Sequence, residues 1–161
     1  MKIRKIITKT YYRRTPEHDW LKYFRVVRFW VREKYGIGYP ELEMLLFLYG
    51  ENLFTRANFN DFQKIMKWDI SRFDGLLRDE WITKWRTRHA RTESDLYTLS
   101  FKAKRVINAF YKKLCGDDII SENPNNNPIF KENASTQYKS YRRMIEKMNE
   151  SIRQRQRQTL E

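Results

Sequence analysis

The hydrophobic period of this 161-residue chain changes from helical to alternating just after Trp81 and changes back near Phe101. Trp81, Thr83 and Trp85 share one face of a period-two segment, and Leu96 and Thr98, with Tyr97 and Leu99 beside them, form a returning strand. Between them, Arg86-Thr-Arg-His-Ala-Arg-Thr-Glu-Ser-Asp95 is polar and basic and reads as the tip of a β-hairpin. On both sides the apolar residues recur at three and four, the spacing of amphipathic helices. The expected class is therefore mainly α with a small β-hairpin.

Helix boundaries follow from capping chemistry. Thr15-Pro16-Glu17 supplies a cap hydroxyl, a proline for the first turn and an acid near the helix start. Trp20, Tyr23, Phe24, Val27, Trp30 and Val31 then form an apolar stripe, with Lys22, Arg25, Arg28 and Arg32 between them. Gly36 and Gly38 stop this helix, and Pro40-Glu41 opens a second whose Leu42, Leu45, Leu46, Leu48 and Tyr49 predict a central core element. Asn58 or Asn60 can cap a third helix carrying Phe59, Phe62, Ile65 and Met66, and Asp69 a fourth carrying Phe73, Leu76 and Leu77. Phe101, Val106, Ile107, Phe110, Tyr111 and Leu114 mark a long helix ending at Gly116.

Four segments result: a basic arm over 1–14, a domain over 15–115, an Asn- and Pro-rich linker over 116–133 and an amphipathic helix over 134–161. In the last, Tyr138, Tyr141, Ile145, Met148 and Ile152 follow the a/d spacing of a helix-pairing seam. That seam implies a partner helix, either in the chain's own body or in a second subunit.

Charge narrows the function. A net charge of +13 favours a polyphosphate partner, because accumulated Lys and Arg gain from counterion release. The single cysteine, Cys115, excludes an internal disulfide framework and a multi-thiolate zinc site, and suits a reducing cytoplasm. No segment reads as a signal peptide or a bilayer span, so no membrane association is expected. His18 and His89 are too far apart to form a local ligand pair, and Glu41 and Glu43 suit the dipole of a helix start. Without a convergent acid, base or nucleophile, no enzyme, metal or cofactor is expected.

Residues 62–77 carry the pattern of a helix-turn-helix, with Phe62, Ile65, Met66, Trp68, Phe73 and Leu77 where two crossed helices meet. Ile70, Ser71, Arg72, Asp74, Gly75 and Arg78 are left facing outward, toward the base edges of a major groove. Lys84, Arg86, Arg88, His89 and Arg91 on the hairpin suit a phosphate backbone or a narrow minor groove. Arg72 is the expected base contact and Arg78 a phosphate contact, while Asp74, Asp79 and Glu80 offset both.

Over roughly residues 17–114 the chain resembles the MarR family of winged helix-turn-helix transcriptional regulators. Leu99 and Ser100 in Tyr97-Thr-Leu-Ser-Phe-Lys-Ala103 stand where the family has a Leu-Thr pair. Ala103 replaces the family's glycine, no glycine lies around Glu80-Trp81, and the wing lacks an Asp-x-Arg motif. The resemblance implies a winged helix-turn-helix with flanking N- and C-terminal helices that pair two subunits. It further implies a homodimer reading half-sites about one helical turn apart on double-stranded DNA. The expected function is a sequence-selective regulator in the cytoplasm, nucleoid-associated or, for a viral source, in the infected cell. Two alternatives fit the same residues: an architectural or virion-associated DNA-binding protein with little sequence preference, and a winged-helix module for protein interaction.

Overall fold

A computed structural model describes residues 18–132 and 135–159. The expected basic arm over 1–14 and the Thr15 cap lie outside the described residues. Within them the chain is mainly helical (63%), with six α-helices and a three-stranded antiparallel sheet. No helix among the described residues is long and apolar enough to cross a membrane.

Helix α1 (Trp20–Tyr35) begins at Asp19, whose carboxylate accepts the Lys22 N–H at 3.1 Å, and ends at Gly36 in the left-handed region (φ 67°). Helix α2 (Tyr39–Glu51) has Pro40 in its first turn and buries Leu42, Met44, Leu45 and Leu48. Strand β1 (Leu53–Phe54) is too short for its period to register in the sequence. The cap of α3 (Arg56–Met66) is Thr55, with Asn58 completing a reciprocal capping box rather than serving as the cap itself. A short α4 (Arg72–Arg78) follows, then β2 (Ile82–Arg86) and β3 (Leu96–Leu99). Ser100 caps α5 (Phe101–Cys115), and α6 (Thr136–Gln158) closes the fold.

The sheet order is β1-β3-β2, with Phe54 opposite Tyr97 and Ile82 opposite Leu99. Tyr97 packs on Phe54 and edge-on against Phe73 at 4.9 Å, which joins the sheet to α4. The element order is that of a winged helix-turn-helix. The sheet has three strands rather than the two of the expected hairpin.

The seam on α6 pairs within the chain. Ile145, Met148 and Ile152 are fully buried, Tyr141 stacks flat on Phe29 of α1 at 3.6 Å, and the Tyr138 hydroxyl donates to Glu33. At the far end Arg155 donates to the Cys115 carbonyl at 3.0 Å and lies 3.3 Å from the His18 ring, whose other nitrogen is 2.5 Å from the Leu114 carbonyl. Most of the α1 stripe is consumed too, since Val27, Trp30 and Val31 are buried. Both surfaces expected to pair two subunits are therefore used inside one.

The segment over 116–133 is not a free linker. Ile120, Asn127 and Ile129 are fully buried, and a one-turn helix at Pro128–Phe130 packs on α1 and α6. Its asparagines build turns: Asn127 accepts the Ile129 N–H and donates to the Ser121 carbonyl, while Asn123 accepts the Asn125 N–H. Turn-forming residues give a packed strap the same composition as a linker. The buried Asn149 of α6 holds this strap by accepting the Ile120 N–H at 3.0 Å and donating to the Ile120 carbonyl at 2.8 Å. Asn149→Ala leaves two backbone groups unpaired and should lower the unfolding free energy by about 2–4 kcal/mol. Urea denaturation measures this, and an unchanged midpoint would mean that Asn149 does not hold the strap.

Candidate nucleic-acid interface

The crossing of α3 and α4 is set by aromatic packing. Phe59 stacks on Trp68 at 5.0 Å and meets Phe73 edge-on at 5.1 Å, while Phe47 of α2 contacts Phe62 and Trp68. Ile65 and Met66 were expected in this contact but are exposed, Ile65 by 73%. Helix α3 ends at Met66 with Lys67 in the left-handed region (φ 56°), and the apolar residues of its last turn are left uncovered.

Ser71, Asp74 and Arg78 face outward on α4, Ile70 is exposed in the turn before it, and Gly75 is half-buried. The cations there are not free. Arg72 pairs with Glu41 of α2, so the expected base contact is tied to the body of the protein. Asp74 pairs with Arg56 of α3, which holds its carboxyl below the usual carboxylate range, and Arg78 Nε lies 3.1 Å from Asp79. The surface of α4 thus carries neither a strong positive field nor an unpaired base-reading arginine. Glu80 adopts a left-handed backbone (φ 57°), a conformation that glycine takes without steric cost. The chain lacks a glycine where the passage from α4 to the wing would favour one.

The wing differs. Its tip is folded on two acids. Asp95 accepts Lys84 Nζ at 2.8 Å and the Arg88 N–H at 2.8 Å, and Glu93 accepts the His89 N–H at 3.2 Å. The Lys84 hydrogen bond, followed by the Arg88 N–H, holds the Asp95 carboxyl below its usual range. Lys84 is thereby neutralised. The side chains of Arg86, Arg88 and Arg91 are exposed and make no ion pair among the described residues, and His89 is exposed beside them. The structure thus brings four of the five expected wing residues to one open tip and ties the fifth.

Two features escaped the sequence reading. Arg56 and Arg88 border one groove of about 270 Å³ with Tyr97 and Asp95, which links the wing tip to the start of α3. Helix α5 carries Lys102, Lys104, Arg105, Lys112 and Lys113 and no acid, and four of these cations line an open groove of about 480 Å³ with Tyr35 and Asp118. The run of cations was visible in the sequence, but the groove depends on where α1 ends against α5.

Among the described residues no group of three or more His, Cys, Asp or Glu side chains lies close enough to hold a metal ion. The Cys115 thiol is half-buried, and desolvation pushes its pKa up. No protein-family model, curated protein or solved structure matches the chain.

Proposed function

We propose that this protein binds DNA through its wing, gripping the phosphate backbone with little dependence on base sequence. The observation that carries this reading is the contrast between two surfaces. Arg86, Arg88 and Arg91 on the hairpin are exposed and make no ion pair among the described residues, although Arg88 lies near Asp95, whereas Arg72 is committed to Glu41 and Asp74 and Asp79 face outward on and beside α4. Guanidinium groups without an ion pair suit phosphates, and a helix whose arginines are each paired with an acid offers them less. The net charge of +13 supplies the long-range attraction. A homodimer would need a surface other than the α1 stripe and the α6 seam.

A second reading, a sequence-selective regulator of duplex DNA, is favoured by Ser71 at the N-terminal cap of α4 and Arg78 at its end, which stay exposed. Selection from a random duplex pool, with salt titration of the selected and unselected DNA, separates the two. The backbone reading expects no enriched motif, one salt slope for both DNAs, and a change below about threefold for Arg72→Ala on either. An enriched motif bound about 10³-fold more tightly than the pool would overturn it in favour of the regulator.

A further inference from the structure

The wing sets an uncovered indole beside its free cations. Pleating sends Ile82 and Leu99 inward and Thr83, Thr98 and Leu53 outward. The register shift between Lys84 and Arg86 places Trp85 at a bulge, where the alternation is interrupted. Such irregularities re-aim side chains. Trp85 is 64% exposed and Trp20, at the start of α1, 47%, whereas Trp30, Trp68 and Trp81 are between 2% and 8% exposed, so Trp85 is the most exposed indole and the one that lies on the basic hairpin. Arg86 is the next residue, and Arg88 and Arg91 continue along the tip.

We propose that Trp85 stacks on an unpaired base, so that the wing engages DNA where the strands are parted: a single strand, a tail or a frayed end. This rests on the reading that the wing holds DNA. A base inside a duplex has both faces covered by its neighbours, and only an unpaired or terminal base offers a free face to an aromatic ring. A nucleotide within a strand is a base flanked by phosphates, which suits a hairpin that carries both an exposed indole and three exposed arginines. Helix α4 offers no competing duplex site of similar strength, because its arginines are paired.

The test titrates the full chain with an oligothymidylate strand, a blunt duplex and the same duplex carrying an oligothymidylate tail, at matched salt. Wild-type protein should bind the strand and the tailed duplex more tightly than the blunt duplex, with quenching of tryptophan fluorescence. Trp85→Ala should weaken binding to the strand and tail by about tenfold relative to its change on the blunt duplex, and remove most of the quenching. Trp85→Phe should restore much of the affinity. The thermal midpoint should stay unchanged, since the ring is exposed. Equal changes on all three DNAs, or none, would overturn the stacking proposal while leaving wing binding intact. A shift in oligomeric state by Trp85→Ala with unaltered DNA binding would assign this face to a protein contact and also overturn it. Failure of the wild-type chain to bind any of the three DNAs at low salt would remove the wing reading itself.

Discussion

Protein lacking residues 134–161 is expected to lose its cooperative unfolding transition and to behave as a largely unfolded or molten chain at ambient temperature. The deletion removes Ile145, Met148 and Ile152, all fully buried, together with the partly buried Tyr138 and Tyr141. Full burial of a large apolar side chain contributes about 1.5–3 kcal/mol. Three such residues and two partial ones therefore account for about 5–10 kcal/mol, against a total stability of about 5–15 kcal/mol for a domain. The loss extends past α6 itself, because Phe29 is stripped of both tyrosine rings and Ile120 loses its hydrogen bonds to Asn149. Near-ultraviolet circular dichroism and urea titration of the full and truncated chains measure the outcome. A truncated chain with an unchanged midpoint would mean that α6 does not belong to the core.

That expectation depends on a contact the sequence does not specify. A seam at a/d spacing says that a helix has a partner and leaves open where the partner lies. Phe29 and Tyr141 are separated by more than a hundred residues, and each alone reads only as an apolar position on an amphipathic helix. The Asn-rich segment misleads for a related reason. Asn123 and Asn127 are chosen for turn geometry, and turn chemistry is the same in a mobile linker and in a strap held by Asn149. Helix starts and stops were legible at Gly36, Pro40 and Gly116 because capping is decided within a few residues. The hairpin was legible because its strands alternate and its tip does not.

The site divides along the same line. Exposure of Arg86, Arg88 and Arg91 follows from their place in a polar hairpin tip, so the sequence located them. The commitment of Arg72 to Glu41 joins residues 31 positions apart, and nothing local marks it. Ile65 and Met66 satisfied the helical period yet are left uncovered, since period assigns a face and not the length over which a neighbour covers it. Trp81, Thr83 and Trp85 were expected on one face, but Trp81 is buried while Thr83 and Trp85 are exposed, and the bulge at Trp85 interrupts the alternation on which that expectation rests.

The combined variant Arg86→Ala, Arg88→Ala, Arg91→Ala should weaken DNA binding by about 100-fold at low salt and flatten its salt dependence. At about 1 kcal/mol for each exposed contact, three lost guanidiniums amount to about 3 kcal/mol, or about two decades in Kd. If all three reach duplex phosphates, the slope of log affinity against log salt should fall by about 2–3, near 0.9 for each neutralised phosphate. Lys84→Ala should cost less than one third of the triple variant's loss in log affinity, because its ammonium is held on Asp95 at 2.8 Å rather than open to a phosphate, and the comparison per charge removed distinguishes specific tip contacts from a general loss of positive charge. Folding should be unaffected, since the three side chains are exposed and make no ion pair among the described residues. Titrations of the wild type, the triple variant and Lys84→Ala at several salt concentrations give both quantities. An unchanged slope and affinity in the triple variant would remove the wing from the interface and shift attention to the basic groove along α5, where Lys102, Arg105, Lys112 and Lys113 supply the next concentration of positive charge. A loss for Lys84→Ala of one third of the triple variant's in log affinity, the same per charge removed, would mean that DNA senses the net charge of the protein rather than the geometry of its hairpin.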